Sequence, residues 1–194
     1  MARSKEFEES AVLEKAMRLF WEQGYEKTSM TDLVEHMGIH RRSLYDTFGD
    51  KHTLFLKAMD RYGDKFGDKY TSVVKHSKNA TEALQFIVDT MIRLETEEGV
   101  PPGCLMVNSA VELATRDADV DSKANKLFSM AEQQLKEIIA WGQRDGEFTT
   151  DYDAEELAEY MHNALVGIRV LARTSAAKEK LHRVANLSMK FLQK

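Results

Sequence analysis

The chain has 194 residues, 43% of them hydrophobic, and a formal net charge of −5. That length can bury one core, or one small and one medium core, and the charge lacks the overall basic balance usual in a nucleic-acid binder. No run approaches the roughly 18 uninterrupted apolar residues of a membrane span, and the charged opening MARSKEFEES is no secretory signal. The single cysteine forbids an internal disulfide and suits a reducing compartment, so a soluble cytoplasmic protein is expected.

The only two prolines stand together at 101 and 102, and alternating Val/Ile/Thr runs are absent, which argues for an all-α chain of about nine helices. The first helix is expected over about 8–23, with Val12, Leu13, Ala16, Met17 and Phe20 inward. Two short helical patterns follow, joined by Met37-Gly38-Ile39. Ser29 and Asp32 have the spacing of a capping box, and Leu33, Val34 and Met37 recur at helical spacing. Gly38 ends this helix, because a left-handed cap is cheapest for glycine. In the next pattern Leu44 and Phe48 share the buried side. Arg42 and Asp46 then point away from Leu44, with Arg41, Ser43 and Tyr45 on the flanks.

A helix held by its apolar side and led by Arg41, Arg42 and Ser43 is the arrangement that reads a DNA major groove. Arginine reads guanine through two bonds, serine contacts a base or phosphate, and the Tyr45 hydroxyl can hold the backbone. Lys51 begins the next helix, where amides and ammonium together suit a phosphate. Residues 1–60 hold nine Lys+Arg against eleven Asp+Glu, so the basic groups must be concentrated on one face.

This segment resembles the DNA-binding domain of the TetR family of bacterial transcriptional regulators. The resemblance is carried by Ala16-Met17-Arg18-Leu19-Phe20, Gly24-Tyr25, Thr28-Ser29-Met30, Gly38-Ile39, Leu44-Tyr45, Phe48, Lys51 and Leu54. It implies base reading by Arg41, Arg42 and Ser43, with phosphate contacts by Ser29, Thr31, Tyr45, Thr47 and Lys51. His40 stands where the family usually has a serine or threonine cap, which predicts a weaker cap. Thr47 replaces a histidine or aromatic, and Asp46 lies on the DNA face, where it can accept a bond from cytosine or repel phosphate.

A fourth helix over about 51–75 would connect this head (1–50) to a helical effector-binding and dimerisation body (51–194). Its Gly63 and Gly67 mark a close helix approach or a soft point. Further helices are expected over about 83–97, 103–115, 121–144, 153–174 and 177–192. The last two carry broad apolar stripes, including Leu157, Met161, Leu165 and Ile168, then Leu181, Val184, Ser188 and Phe191. Such stripes can close a core. The resemblance implies instead that they pack against a second copy as a four-helix bundle, giving a homodimer on a palindromic double-stranded DNA operator.

The middle helices are expected to hold a small organic effector. Phe86, Met91, Cys104, Met106, Phe128, Met130 and Trp141 are candidate lining, although methionines at this spacing also serve as core. Cys104 follows Pro101-Pro102-Gly103 in what reads as a helix first turn, where the macrodipole favours thiolate. Its surroundings are similar to a segment of TetR regulators that includes electrophile- and oxidant-responsive members; a small buried hydrophobe is the alternative. The competing class is a helical-bundle metalloenzyme of di-iron type, through Glu159-x-x-His162 and Glu179-x-x-His182. Both motifs read as solvated, no phosphate loop or serine elbow occurs, and no catalytic residue, metal or cofactor is expected.

Overall fold

A computed structural model describes residues 8–95 and 97–193, without side-chain detail at 66–75 and 95. The surroundings of Gly67 and the charged start 1–7 therefore fall outside what is described. Nine helices run through the described residues: α1 (Glu9–Gln23), α2 (Met30–Met37), α3 (Arg41–Phe48), α4 (Lys51–His76), α5 (Ala80–Glu95), α6 (Leu105–Leu113), α7 (Ala118–Arg144), α8 (Ala154–Ala172) and α9 (Lys178–Leu192). None is long and apolar enough to cross a membrane.

Two cores hold these helices. The first joins α1 to α4 with α6, and aromatic packing anchors it: Phe20 meets Phe55 edge-on at 5.0 Å, and Trp21 meets Tyr62 at 5.1 Å. The second is built from α5, α7, α8 and α9 around Ile92, Ile138, Phe148, Met161 and Ile168. The loop after α7 ties this body shut. Thr149 N–H donates to the Leu192 carbonyl at 2.8 Å, and the Glu147 carboxylate accepts from Ala80 and Thr81 N–H at 3.1 and 2.9 Å, capping α5. Gly142 is obligatory here, because a Cβ would overlap the Phe148 ring.

The apolar stripe assigned to a partner copy belongs largely to this core. Leu157, Met161, Leu165, Ile168, Leu181 and Ser188 are buried within the chain itself, and Val184 is half-buried against the same cluster. Of the eight, only Phe191 is exposed. Helical periodicity correctly marks an apolar face but is blind to what covers it. The outer face of the pair carries a different apolar set: Tyr160, Val170, Leu187 and Phe191, with Tyr160 and Phe191 rings 4.9 Å apart. Gly167 lies exposed on α8 within this face, and a Cβ there would meet nothing within 4 Å.

His162 also departs from expectation. It is buried, not solvated, and its Nδ1 lies 2.8 Å from Glu132 Oε1 on α7. Glu159, Glu179 and His182 are exposed, so the two di-iron motifs do not converge. Among the described residues, the metal-ligating types that cluster are His52, Asp117 and Asp119, on other elements altogether.

Two structural carboxylates set an acid limit. Burial raises Glu147, yet hydrogen bonds from Thr81 and Ala80 outweigh it and hold the carboxyl below its ordinary value. For Asp117, the cap of α7, burial again raises the value, while bonds from Val120 N–H, His52 and Asp119 N–H bring it below normal. A carboxyl depressed in the folded state stabilises above its unfolded pKa, about 4, and that contribution is lost as pH falls through the folded value. Urea unfolding followed from pH 7 to pH 3 should therefore show stability falling below about pH 4. Glu147→Gln should flatten that slope, and superimposable slopes would count against the assignment.

Candidate nucleic-acid interface

The interface is built at α2–α3. Ser29 caps α2 with both halves of the box: Asp32 N–H donates to Ser29 Oγ at 3.1 Å, and Ser29 N–H donates to Asp32 Oδ2 at 2.8 Å. The Ser29 hydroxyl hydrogen remains to donate outward. Gly38 adopts the left-handed conformation (φ 71°, ψ 35°), and Lys15 Nζ donates to the Met37 carbonyl at 3.2 Å, closing the helix end. His40 precedes α3 with no side-chain cap bond, as its replacement of a hydroxyl residue predicts.

Leu44 and Phe48 are fully buried, which fixes the rotation of α3. Arg41 and Arg42 are left exposed at its N-terminal end, with Ser43 and Thr47 at its flanks. The Arg42 side chain is 92% exposed and reaches Asp46 at 3.6 Å, one turn on. An exposed pair of this kind is worth well under about 1 kcal/mol, so it parks the guanidinium without holding it from a base. Arg41 lies over the Tyr45 ring at 5.9 Å, and Lys51 Nζ sits 4.2 Å from the Tyr25 ring centre. Both cations are oriented by aromatic faces. Asp50 caps α4 by accepting from Thr53 N–H at 2.7 Å, so one amide at that end is already taken.

The acidic balance of the head is thereby resolved. Asp32 and Asp50 are spent as caps, and Glu14 accepts from Arg61 at 3.2 Å and from Lys65. The α3 tip keeps its two arginines exposed, and a local field of one sign needs no net positive domain.

Side chains that sequence patterns did not single out bind this head to the body. Glu112 of α6 accepts Tyr25 N–H at 3.0 Å and Glu26 N–H at 2.8 Å. Gly24 (φ 86°) lies directly over this carboxylate, where a Cβ would come within 2.8 Å of Oε2. Trp21 Nε1–H donates to the Gly103 carbonyl at 3.0 Å, while Arg173, the residue capping the end of α8, donates to the Trp21 and Glu22 carbonyls at 3.1 and 3.3 Å. His52 meets Asp117 at 2.8 Å.

The seven candidate effector-lining residues scatter. Met106 and Met130 line a cavity of about 310 Å³ between α4, α6 and α7, together with Met59, Gly63, Lys123 and Gln134. Phe86 instead points out at 51% exposure, Met91 is core, and Phe128 packs against the His162 ring at 5.6 Å. Trp141 donates to Asp145 at 2.7 Å near the end of α7. Cys104 is buried at the cap position before α6, not in its first turn, and its Sγ accepts from Arg169 at 3.6 Å. That arginine lies 65 residues away and leaves no local sequence signal.

Comparison with known proteins agrees with this architecture. Residues 12–58 match the model for bacterial regulatory proteins of the tetR family, and residues 80–187 match the tetracyclin repressor-like C-terminal domain. The chain belongs to the TetR family. It is 33% identical to the HTH-type transcriptional repressor ComR of Escherichia coli K12, over 97% of this chain and 90% of that protein. A solved structure of a cysteine mutant of the TetR family regulator CifR, complexed with 26-bp double-strand operator DNA, is 28% identical. It superposes with a TM-score of 0.89 over 98% of this chain and 100% of that one. A TetR family regulator from Agrobacterium tumefaciens shares the fold at 18% identity, with a TM-score of 0.88 over 95% of this chain and 96% of its own. The chain is thus a DNA-binding transcriptional regulator and not an enzyme.

Glu112→Ala should cost about 1–3 kcal/mol, because it orphans two backbone donors at the joint between head and body. Urea unfolding measures this directly, and unchanged stability would show that the joint holds without it.

Proposed function

We propose that the chain is a cytoplasmic repressor that binds a palindromic operator as a homodimer and leaves it when a small organic effector enters the body. The observation carrying this reading is the exposed Arg41–Arg42 pair at the tip of α3, a helix whose rotation is fixed by Leu44 and Phe48. Arg41, Arg42 and Ser43 read bases, and Ser29, Thr31, Tyr45, Thr47 and Lys51 hold phosphates. One α3 contacts too few base pairs for useful discrimination, so two heads on a symmetric body are required. The residues 1–50 form the reading head and 51–194 the regulatory body, with α4 between them.

The dimer forms through the outer face of α8 and α9, where Tyr160, Val170, Leu187 and Phe191 surround Gly167. The open glycine allows two α8 helices to approach closely across a two-fold axis. Arg42→Ala should weaken operator binding by about 1–3 kcal/mol while the dimer persists. Gly167→Glu should yield a folded monomer, read by light scattering and circular dichroism, with operator affinity lost. A Gly167→Glu protein that stays dimeric would move the interface elsewhere, and an Arg42→Ala protein of unchanged affinity would remove the base-reading assignment.

A second input is favoured by the Cys104–Arg169 contact. An electrophile adding to Sγ would displace the Arg169 guanidinium from Cys104, the residue next to Gly103, whose carbonyl holds Trp21 of α1. Burial of Cys104 restricts this chemistry to reagents small and apolar enough to enter the body. In gel shifts, an electrophile such as N-ethylmaleimide should release operator from the parent protein and not from Cys104→Ser. Equal release from both would end the thiol reading.

A further inference from the structure

The rotation of α3 leaves two side chains on the line opposite its core, and they carry opposite charge. Positions 42 and 46 each lie about 160° around the helix from the buried Leu44 and about 40° from each other. The Arg42 and Asp46 side chains are 92% and 69% exposed, and they approach to 3.6 Å. Asp46 is the only acid on α3. We propose that Asp46 is a specificity-determining residue that accepts a hydrogen bond from cytosine N4. The DNA read by α3 then carries a guanine for Arg42 and a cytosine within about two base-pair steps of it. This rests on the reading above that α3 enters the major groove.

Helix geometry gives the acid no way to avoid the groove. A helix that presents Arg42 to base edges brings Asp46 in on the same line, about 5.4 Å further along, where stacked base pairs are about 3.4 Å apart. A carboxylate only accepts hydrogen bonds, so the base edge it meets must donate. Guanine presents N7 and O6 in this groove and thymine presents O4, all acceptors that repel it. Adenine places N7 beside its N6 donor. Cytosine alone presents a donor and no acceptor of its own. Over any other base the carboxylate is stripped of water without a partner and meets the phosphate field as a like charge. Asp46 therefore weakens binding to most sequences, and the penalty is offset at one base, which widens the gap between correct and incorrect DNA.

The same contact organises Arg42. An exposed pair is weak enough to rearrange at little cost, so the guanidinium can keep one N–H on Asp46 while others reach guanine O6 and N7. Arg41 takes no part in this. It lies about 100° around the helix from Arg42, over the Tyr45 ring.

The test uses the full-length protein, duplexes with a randomised core, and gel shifts over a series of salt concentrations. The parent should select a guanine and, within two steps, a cytosine. Replacing that cytosine by thymine should weaken binding by about tenfold. Asp46→Asn should move the preference at that position from cytosine to adenine, because an amide pairs with adenine N6 and N7. Asp46→Ala should flatten the preference there, tighten binding to duplexes of unrelated sequence, and leave the other selected positions unchanged. Base preferences unaltered in both variants overturn the proposal even if affinity changes, since a carboxylate that merely repels phosphate alters affinity alike for every sequence. Loss of preference at every position in Asp46→Ala also overturns it, by showing that the acid sets the docking of the whole helix. An Arg42→Ala protein that selects the parent's sequences would instead remove the base-reading assignment, and this inference with it.

Discussion

The joint between the end of α1 and the start of α6 is the constraint on which function depends. In the proposed dimer a reading helix is useful only if its position relative to its mate is defined, and position here is transmitted through backbone atoms. Glu112 takes two N–H groups of the α1–α2 loop, the Gly103 carbonyl takes the Trp21 indole, and Arg173 takes two carbonyls at the end of α1. Backbone partners leave little rotamer slack, so a shift of α6 or α8 becomes a shift of the head. The glycines at 24 and 103 belong to this device. Both have positive φ, and a Cβ at either would drive into Glu112 or Arg173.

Division of the hydrophobic cores reinforces this coupling. Helix α6 packs with the head, whereas α5, α7, α8 and α9 form their own cluster. Chain order alone would group α6 with the body. Its buried residues join the head core, while its length packs along α7 of the body. The cavity of about 310 Å³ lies beside the head core, with Met59 and Met106 of that core on one side and Lys126, Met130 and Gln134 of α7 on the other.

Much of the head was legible because its signals are local. The Ser29–Asp32 box, the left-handed Gly38, the weak His40 cap and the buried Leu44–Phe48 pair each involve residues within about a helical turn of one another. Helix boundaries were likewise legible, apart from the starts of α5 and α7, which both begin earlier than expected, α7 because Asp117 caps it. Legibility failed where partners lie far apart in the chain. Leu157, Met161 and Leu165 form a stripe on any helical projection, but only the fold reveals that α5 and α7 cover it. His162 sat beside charged residues in the pattern, and Glu132, 30 residues upstream, draws it inward. Glu112 carried no sequence mark at all, since a glutamate on an amphipathic helix is ordinarily a solvated group.

The cavity between α4, α6 and α7 explains why a ligand can act at a distance without a dedicated wire. Well-packed cores resist graded deformation and respond to strain by shifting between discrete packings. A void between packed helices is where such a shift meets least resistance, because few contacts there must be broken. A ligand that binds one packing better moves the equilibrium by its differential affinity and by nothing more. Met106 of α6 itself lines this void, together with Met130 and Gln134 of α7. Rigid ties from α6 to α1 then convert the choice of packing into head position. What the proposed dimer requires of an effector is therefore modest: enough preference between two packings to spoil the spacing of its reading helices, not enough to unfold either core.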